Sequence, residues 1–98
     1  MKIEKIETVI AERELDGRRN GSPCKVVVRF GKPVRNEKDG SWRCPYSVTS
    51  PMGERVFYGA GVDSLQALRI AISNAAAELK TLYSDLNLRW ANSEDLGF

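Results

Sequence analysis

Residues 59–86 of the chain have the sequence GAGVDSLQALRIAISNAAAELKTLYSDL, and this segment contains the clearest secondary-structure signal of the chain. Asp63 is a favourable N-cap residue, and Gln66, three positions later, completes a pair that resembles a capping box. A helix is therefore predicted over residues 64–86, with Ile72 at the centre of its buried face. Apolar residues recur at helical spacing along this segment. They are Leu65, Leu68, Ile72, Ala75, Ala76, Leu79, Leu82 and Leu86.

The chain before this helix predicts four strands, over residues 3–15, 25–34, 41–50 and 54–60. The first strand has an ambiguous phase, which a bulge or an edge position would explain. A polar stretch over residues 16–23 is expected to form a loop.

Two short turns set the expected register of the later strands. Residues 36–40 lead from the second strand to the third, and Pro51-Met52-Gly53 has the composition of a three-residue hairpin loop. With these turns, Val26 and Phe30 share one apolar face with Trp42, Cys44, Tyr46 and Val48, and with Val56, Tyr58 and Ala60. The opposite face carries Lys25, Val27, Arg29, Arg43, Ser47, Thr49, Arg55 and Phe57.

These elements predict an α+β fold with two layers. A four-stranded antiparallel meander is covered on one face by one long C-terminal helix, in the order ββββα. The chain is expected to form a single domain over residues 1–98. Residues 87–98 are expected to dock on its body, because a free tail of this length would expose an unusual number of large apolar side chains. These side chains are Leu88, Trp90, Leu96 and Phe98.

Composition excludes most familiar chemistries. The 98 residues are 42% hydrophobic and 29% charged, with a net charge of +2 and no histidine. Without histidine, the commonest general base and zinc ligand are missing. Cys24 and Cys44 form no Cys-x-x-Cys pair and are expected to be free thiols in the cytoplasm. No catalytic residue, metal site or cofactor is therefore expected, and no membrane segment.

One glycine motif echoes nucleotide-binding proteins. The segment from Gly59 to Ser64 follows a strand and opens a helix, as the G-x-G-x-x-G fingerprint does. Its third position is Ser64, however, and Asp63 places a carboxylate where a phosphate would need a bare helix N-terminus. The glycines are instead expected to relieve crowding between strand and helix.

The uncovered face of the sheet is the candidate functional surface. We expect a protein partner or a second copy of the chain, as in a homodimer, to bind there. The alternative is weak binding of single-stranded nucleic acid, with bases stacked on an aromatic ring among basic residues. The candidate residues are Lys25, Val27, Arg29, Arg43, Arg55 and Phe57.

The helix start and the tail together resemble a known group of sequences. The pattern G-x-D-S-x-Q-A-L covers residues 61–68, and L-x-W and D-L-G-F follow within residues 88–98. In this pattern the chain resembles a family of short uncharacterised bacterial proteins with no assigned function. The resemblance implies a bacterial cytosolic origin and a structural role for the tail, and it supplies no activity.

Overall fold

One antiparallel sheet carries a single helix, and the α+β class predicted from the sequence is confirmed. The computed structural model describes residues 5–98, so residues 3 and 4 of the predicted first strand lie outside the described part. The four long strands lie side by side in chain order, with the helix on one face. The elements are β1 (Val9–Arg19), β2 (Ser22–Gly31), β3 (Val34–Arg35), β4 (Trp42–Ser50), β5 (Gly53–Gly61) and α1 (Ser64–Thr81), followed by a 3-10 turn (Ser84–Leu86).

The first hairpin extends further toward its turn than predicted, whereas residues 5–8 of the predicted first strand precede β1. Residues 16–23 do not form a loop, because β1 runs to Arg19 and β2 begins at Ser22. Asn20 and Gly21 alone make the turn, with φ of 52° and 80°. Positive φ at both central residues is the geometry of a tight hairpin turn, and Asn-Gly is its preferred sequence.

Two further departures from the predicted strands have local causes, one in β1 and one after β2. A bulge shifts the β1–β2 register between Val9 and Ala11, and β1 lies at the edge of the sheet, which accounts for the ambiguous phase of the first strand. The predicted second strand, residues 25–34, is divided in two. Pro33 has no N–H to donate, so β2 ends at Gly31 and Val34–Arg35 forms the separate β3, which pairs with the start of β4.

The β4–β5 hairpin corrects the predicted register by one residue. Ser50 pairs with Gly53, so the loop has two residues, Pro51 and Met52, rather than three. A shift of one residue moves every side chain of β5 to the other face. Arg55 and Phe57 therefore lie on the helix side, and Val56, Tyr58 and Ala60 lie on the open side.

The helix packs on the sheet through small residues, which also corrects its predicted buried face. Ala67, Ala71 and Ala75 are fully buried, whereas Ile72 is only half-buried. Beneath them, Gly59 and Gly61 allow the helix backbone to approach β5 closely. Leu65 and Leu82 of the predicted apolar stripe are exposed. The stripe is displaced because close backbone packing favours alanine over leucine at the point of contact.

Both ends of the helix have identifiable causes. Asp63 accepts a hydrogen bond from the Gln66 N–H at 2.7 Å, and the Gln66 side chain accepts one from the Val62 N–H at 2.8 Å, so the expected cap is present. The helix ends at Thr81 rather than at residue 86. The Ser84 hydroxyl donates to the Thr81 carbonyl, which competes with helix continuation, and Asn87 adopts a left-handed conformation.

The tail covers the part of the sheet that the helix leaves free. Leu86 is fully buried, and Leu88 and Leu96 pack against the core. Arg89 and Asp16 exchange two backbone hydrogen bonds of 2.8 and 2.9 Å, which adds a short bridge to the edge of β1. The helix side of β1 and β2 is thereby covered. The opposite face of the sheet carries neither the helix nor the tail.

Candidate interaction surface

Strand pairing defines which side chains lie on the side of the sheet opposite the helix and the tail, which we call the open face. Lys25, Val27, Arg29 and Arg43 lie on it as predicted. Arg55 and Phe57 do not join them, because of the register of β5. The open face includes Glu12, Glu14 and Asp16 of β1, Lys25, Val27 and Arg29 of β2, Arg43, Pro45, Ser47 and Thr49 of β4, and Glu54, Val56, Tyr58 and Ala60 of β5.

The basic residues of β2 are neutralised by carboxylates of β1. Lys25 pairs with Asp16 directly opposite and with Glu14 at 3.2 Å, and the hydrogen bond to Asp16 is the main cause that raises the pKa of Lys25. Arg29 pairs with Glu12 at 3.0 Å, again directly across the strands. These ion pairs were not predicted, although charged residues at alternate positions of both strands were a sequence signal for them.

The centre of the open face is uncharged. Val27 pairs with Thr49, and Ser47 pairs with Val56, so uncharged side chains occupy adjacent positions on three strands. Ser47 is only 1% exposed, and its hydroxyl has no hydrogen-bond partner within the described residues. Tyr58 extends this region toward Arg43.

Arg43 is the basic residue of the predicted set that has no carboxylate within ion-pair distance among residues 5–98. Its guanidinium lies 5.3 Å from the centre of the Tyr58 ring, and it donates a hydrogen bond of 2.6 Å to the Ser41 hydroxyl. Arg43 and Tyr58 therefore form a cation–π pair at one end of the open face.

On the helix side, Arg55 has a structural partner. Its Nε lies 3.2 Å from Oε1 of Glu78 on α1, whose side chain is 13% exposed. The other Glu78 oxygen and the buried Tyr46 hydroxyl have no hydrogen-bond partner in the described part of the chain. Burial, together with the nearby Glu78 charge, raises the pKa of Tyr46. Arg55 thus links β5 to the helix rather than facing a partner.

The tail forms a second cluster, around Arg13. The Arg13 guanidinium lies 3.9 Å from the centre of the Trp90 ring and 5.1 Å from that of Phe98. It also donates hydrogen bonds of 3.0 Å to the carbonyls of Leu96 and Gly97. Arg13 therefore holds the tail on β1 in two ways. Its guanidinium stacks near two aromatic rings, and it donates hydrogen bonds to two backbone carbonyls.

Three further findings concern metal-binding groups, membrane-spanning helices and disulfides within the described residues. Residues 5–98 contain no group of three or more acidic, cysteine or histidine side chains arranged to hold a metal ion. In the same range, no helix has the length and apolarity needed to cross a membrane. Cys24 and Cys44 are free thiols, as predicted.

Comparison with known proteins gives one family. A family model for a domain of unknown function, DUF6968, matches residues 11–98. No curated protein and no solved structure matches the chain. The family match spans nearly all of β1 and every later element, and so extends beyond the residues of the helix start and tail that carried the resemblance. The chain therefore belongs to the DUF6968 family of domains of unknown function.

Proposed function

We propose that this domain acts by binding another protein through its open face, without catalysing a reaction. The observation that carries the proposal is the arrangement of charge. Ion pairs of β1 with β2 lie on one side of an uncharged centre of Val27, Thr49, Val56 and Tyr58, and Glu54 and Arg43 border it elsewhere. Protein interfaces have this composition, with a core that lacks charge and contains aromatic residues inside a polar rim.

Nucleic-acid binding is the second candidate, and the Arg43–Tyr58 pair is the observation that favours it. A tyrosine beside an unpaired arginine can stack one base and contact one phosphate. The rest of the surface supports a protein partner better. Lys25 and Arg29 are already paired with carboxylates, and a phosphate would have to compete with these. The four acidic residues on the same face, Glu12, Glu14, Asp16 and Glu54, would also repel a nucleic-acid backbone.

We propose that the protein binds its partner in the bacterial cytoplasm. Two free cysteines, one of them half-buried, suit a reducing compartment. The family resemblance supports a bacterial origin.

A single substitution separates the two candidates. Val27→Lys places a positive charge at the centre of the open face, directly opposite Glu14, which can pair with it. The lysine should weaken binding of a protein to the uncharged centre, whereas it should strengthen binding of an oligonucleotide. Val62→Lys is the matched control, because Val62 is 81% exposed and lies in the turn before the helix, outside the open face.

The experiment compares wild type and both variants in two assays. In the first, tagged chains capture proteins from nuclease-treated extract of the source organism, and the bound protein is quantified. In the second, fluorescence anisotropy measures binding of a single-stranded oligonucleotide at several salt concentrations. We expect Val27→Lys alone to lose the captured protein, and no chain to bind the oligonucleotide at physiological salt. Salt-sensitive oligonucleotide binding that rises in Val27→Lys would overturn the ranking.

A further inference from the structure

The two edges of the sheet differ in how they are protected. At the β1 edge, Arg89 bonds the backbone of Asp16, and β1 carries Glu12 and Glu14 beside it. A covered or charged edge resists pairing with another chain. Within residues 5–98, β5 pairs with β4 alone, along all nine of its residues. The other side of β5 is therefore an open edge.

The hairpin geometry identifies which backbone groups are free on that edge. Because the loop has two residues, Ser50 and Gly53 form the hydrogen-bonded pair that closes it. Hydrogen-bonded and non-bonded pairs alternate along an antiparallel ladder. The odd-numbered residues of β5 therefore bond to β4. The N–H and C=O groups of Glu54, Val56, Tyr58 and Ala60 point away from the sheet.

We infer that this chain forms a symmetric dimer in which β5 pairs antiparallel with β5 of a second copy, centred on Phe57. In this register, Val56 lies opposite Tyr58 of the second copy and Glu54 lies opposite Ala60. All four residues with outward-pointing backbone groups then form hydrogen-bonded pairs. Phe57, which is 45% exposed, meets its own counterpart, and Arg55 meets Gly59, so no like charges lie opposite each other.

The flank of the helix above this edge fits the same arrangement. Glu78 reaches Arg55 on β5, whereas Ala76 lines a cavity with Leu96 and Phe98 of the tail, so the Glu78 flank is the one on the β5 side. Helical spacing places four uncharged residues on that flank, and two of them are half-buried and two exposed. These are Ile70, Asn74, Ala77 and Thr81.

Distances agree with helix packing across the dimer axis. The helix α1 packs on both β4 and β5, and adjacent strands are about 4.8 Å apart. A helix between these strands lies about 5 Å from the dimer axis, so the two helices would lie roughly 10 Å apart. Packed helices are about 8–10 Å apart. A second copy of the chain thus fits both the strand edge and the helix flank, independently of the open face.

Sedimentation equilibrium over a range of concentrations tests the dimer on the full chain. We expect the mass of the wild type to rise from 10.9 kDa toward twice that value. Phe57→Lys places two like charges opposite each other at the axis and should keep the chain monomeric. Ala60→Pro removes an outward N–H, which an edge strand tolerates in the monomer, and should also weaken the dimer. Val62→Lys is the charge control and should dimerise like wild type.

A cysteine at the axis tests the register itself. Residues opposite each other in a non-bonded antiparallel pair have Cα atoms about 4.5 Å apart, which a disulfide can span. Phe57→Cys should therefore form a covalent dimer under mild oxidation, detected on a non-reducing gel, at least tenfold more than wild type or Val62→Cys.

The outcomes separate this dimer from the proposed function. A wild type that stays at 10.9 kDa at all concentrations would refute the dimer and leave open-face binding untouched. A dimer that Val27→Lys abolishes and Phe57→Lys does not would place self-association on the open face instead. Folding of each variant is checked by its thermal unfolding curve, and Phe57→Cys crosslinking supports the register where Phe57→Lys fails to fold.

Discussion

Gly59 lies directly beneath Ala71. A Cβ atom added to Gly59 would come within 2.3 Å of the Ala71 backbone nitrogen, and one added to Gly61 would come within 2.6 Å of the Ala67 nitrogen. The helix therefore contacts β5 backbone to backbone at both positions. This contact also explains the register of β5, because the alternative register would place Tyr58 and Ala60 under the helix.

Gly59→Ala should be strongly destabilising, since the new methyl group has no space and the helix must move. We expect a loss of about 1–3 kcal/mol, the usual cost of overpacking, and hence a melting temperature lower by roughly 5–20 °C. Ala60→Val adds more atoms one residue later, on the exposed open face, and should change stability by less than about 0.5 kcal/mol. Equal melting temperatures for the two variants would contradict the close contact.

Arg13→Lys should loosen the tail although the charge is kept. Lysine loses the planar stacking on Trp90 and one of the paired donors to the Leu96 and Gly97 carbonyls. We expect the free energy of unfolding to fall by about 1–2 kcal/mol, measured by urea titration with tryptophan fluorescence. Arg18→Lys, beside the exposed turn of the first hairpin, is the control and should have almost no effect. An equal decrease in the free energy of unfolding of both variants would contradict a role of Arg13 in holding the tail.

Arg55→Met should leave the largely buried Glu78 carboxylate without its ion-pair partner. Because half of the Arg55 side chain is exposed, water compensates in part, and we expect a loss of about 1–2 kcal/mol. Glu78→Gln removes the charge and should restore most of that stability in the double variant, as measured by thermal unfolding. Additive losses for the two substitutions would mean that Arg55 and Glu78 do not interact.

Stability should fall at alkaline pH. Burial raises the pKa of the Cys44 thiol from its ordinary 9.0 to about 11. Between these values the unfolded chain has lost the proton and the folded chain has kept it, so unfolding becomes easier as pH rises. The contribution is fully present below pH 9 and is lost as pH rises to about 11. It is on the order of 2 kcal/mol.

Cys44→Ala should flatten the dependence of the unfolding free energy on pH between 9 and 11, even though its stability at neutral pH is lower. Tyr46 and Tyr83 act in the same direction at higher pH, because burial raises the pKa of each. An unchanged slope in Cys44→Ala would assign the alkaline loss to the tyrosines instead.

The parts of the fold that were predictable rest on local signals. Asp63 and Gln66 predict the start of the helix, and the alternation of apolar and polar residues predicts the strands. The Asn20-Gly21 turn was also visible in the sequence, but the two glycines and the proline of the polar stretch over residues 16–23 favoured a loop. The β5 register could not be derived from the turn alone, because Pro51-Met52-Gly53 is compatible with loops of two or three residues. Packing of Gly59 and Gly61 against the helix decides it.

Four of the six candidate surface residues could be placed correctly from the sequence. Lys25, Val27, Arg29 and Arg43 could be assigned to one face because their strands have clear alternation. Arg55 and Phe57 were placed there only through the predicted loop length. The neutralisation of Lys25 and Arg29 required the register of the first hairpin, which follows from the turn at Asn20-Gly21.

The tail on β1 has a consequence for synthesis of the chain. The hydrogen bonds of Asp16 with Arg89, and those of Arg13 with the carbonyls of Leu96 and Gly97, can form only after the tail has been synthesised. At roughly 5–20 residues per second, β1 leaves the ribosome several seconds before the segment that covers it. During this interval the edge of β1 carries only its own side chains, among them the charged Glu12, Glu14 and Asp16. We therefore expect these charges to hinder pairing of β1 with other nascent chains on the same messenger RNA until the tail covers the edge.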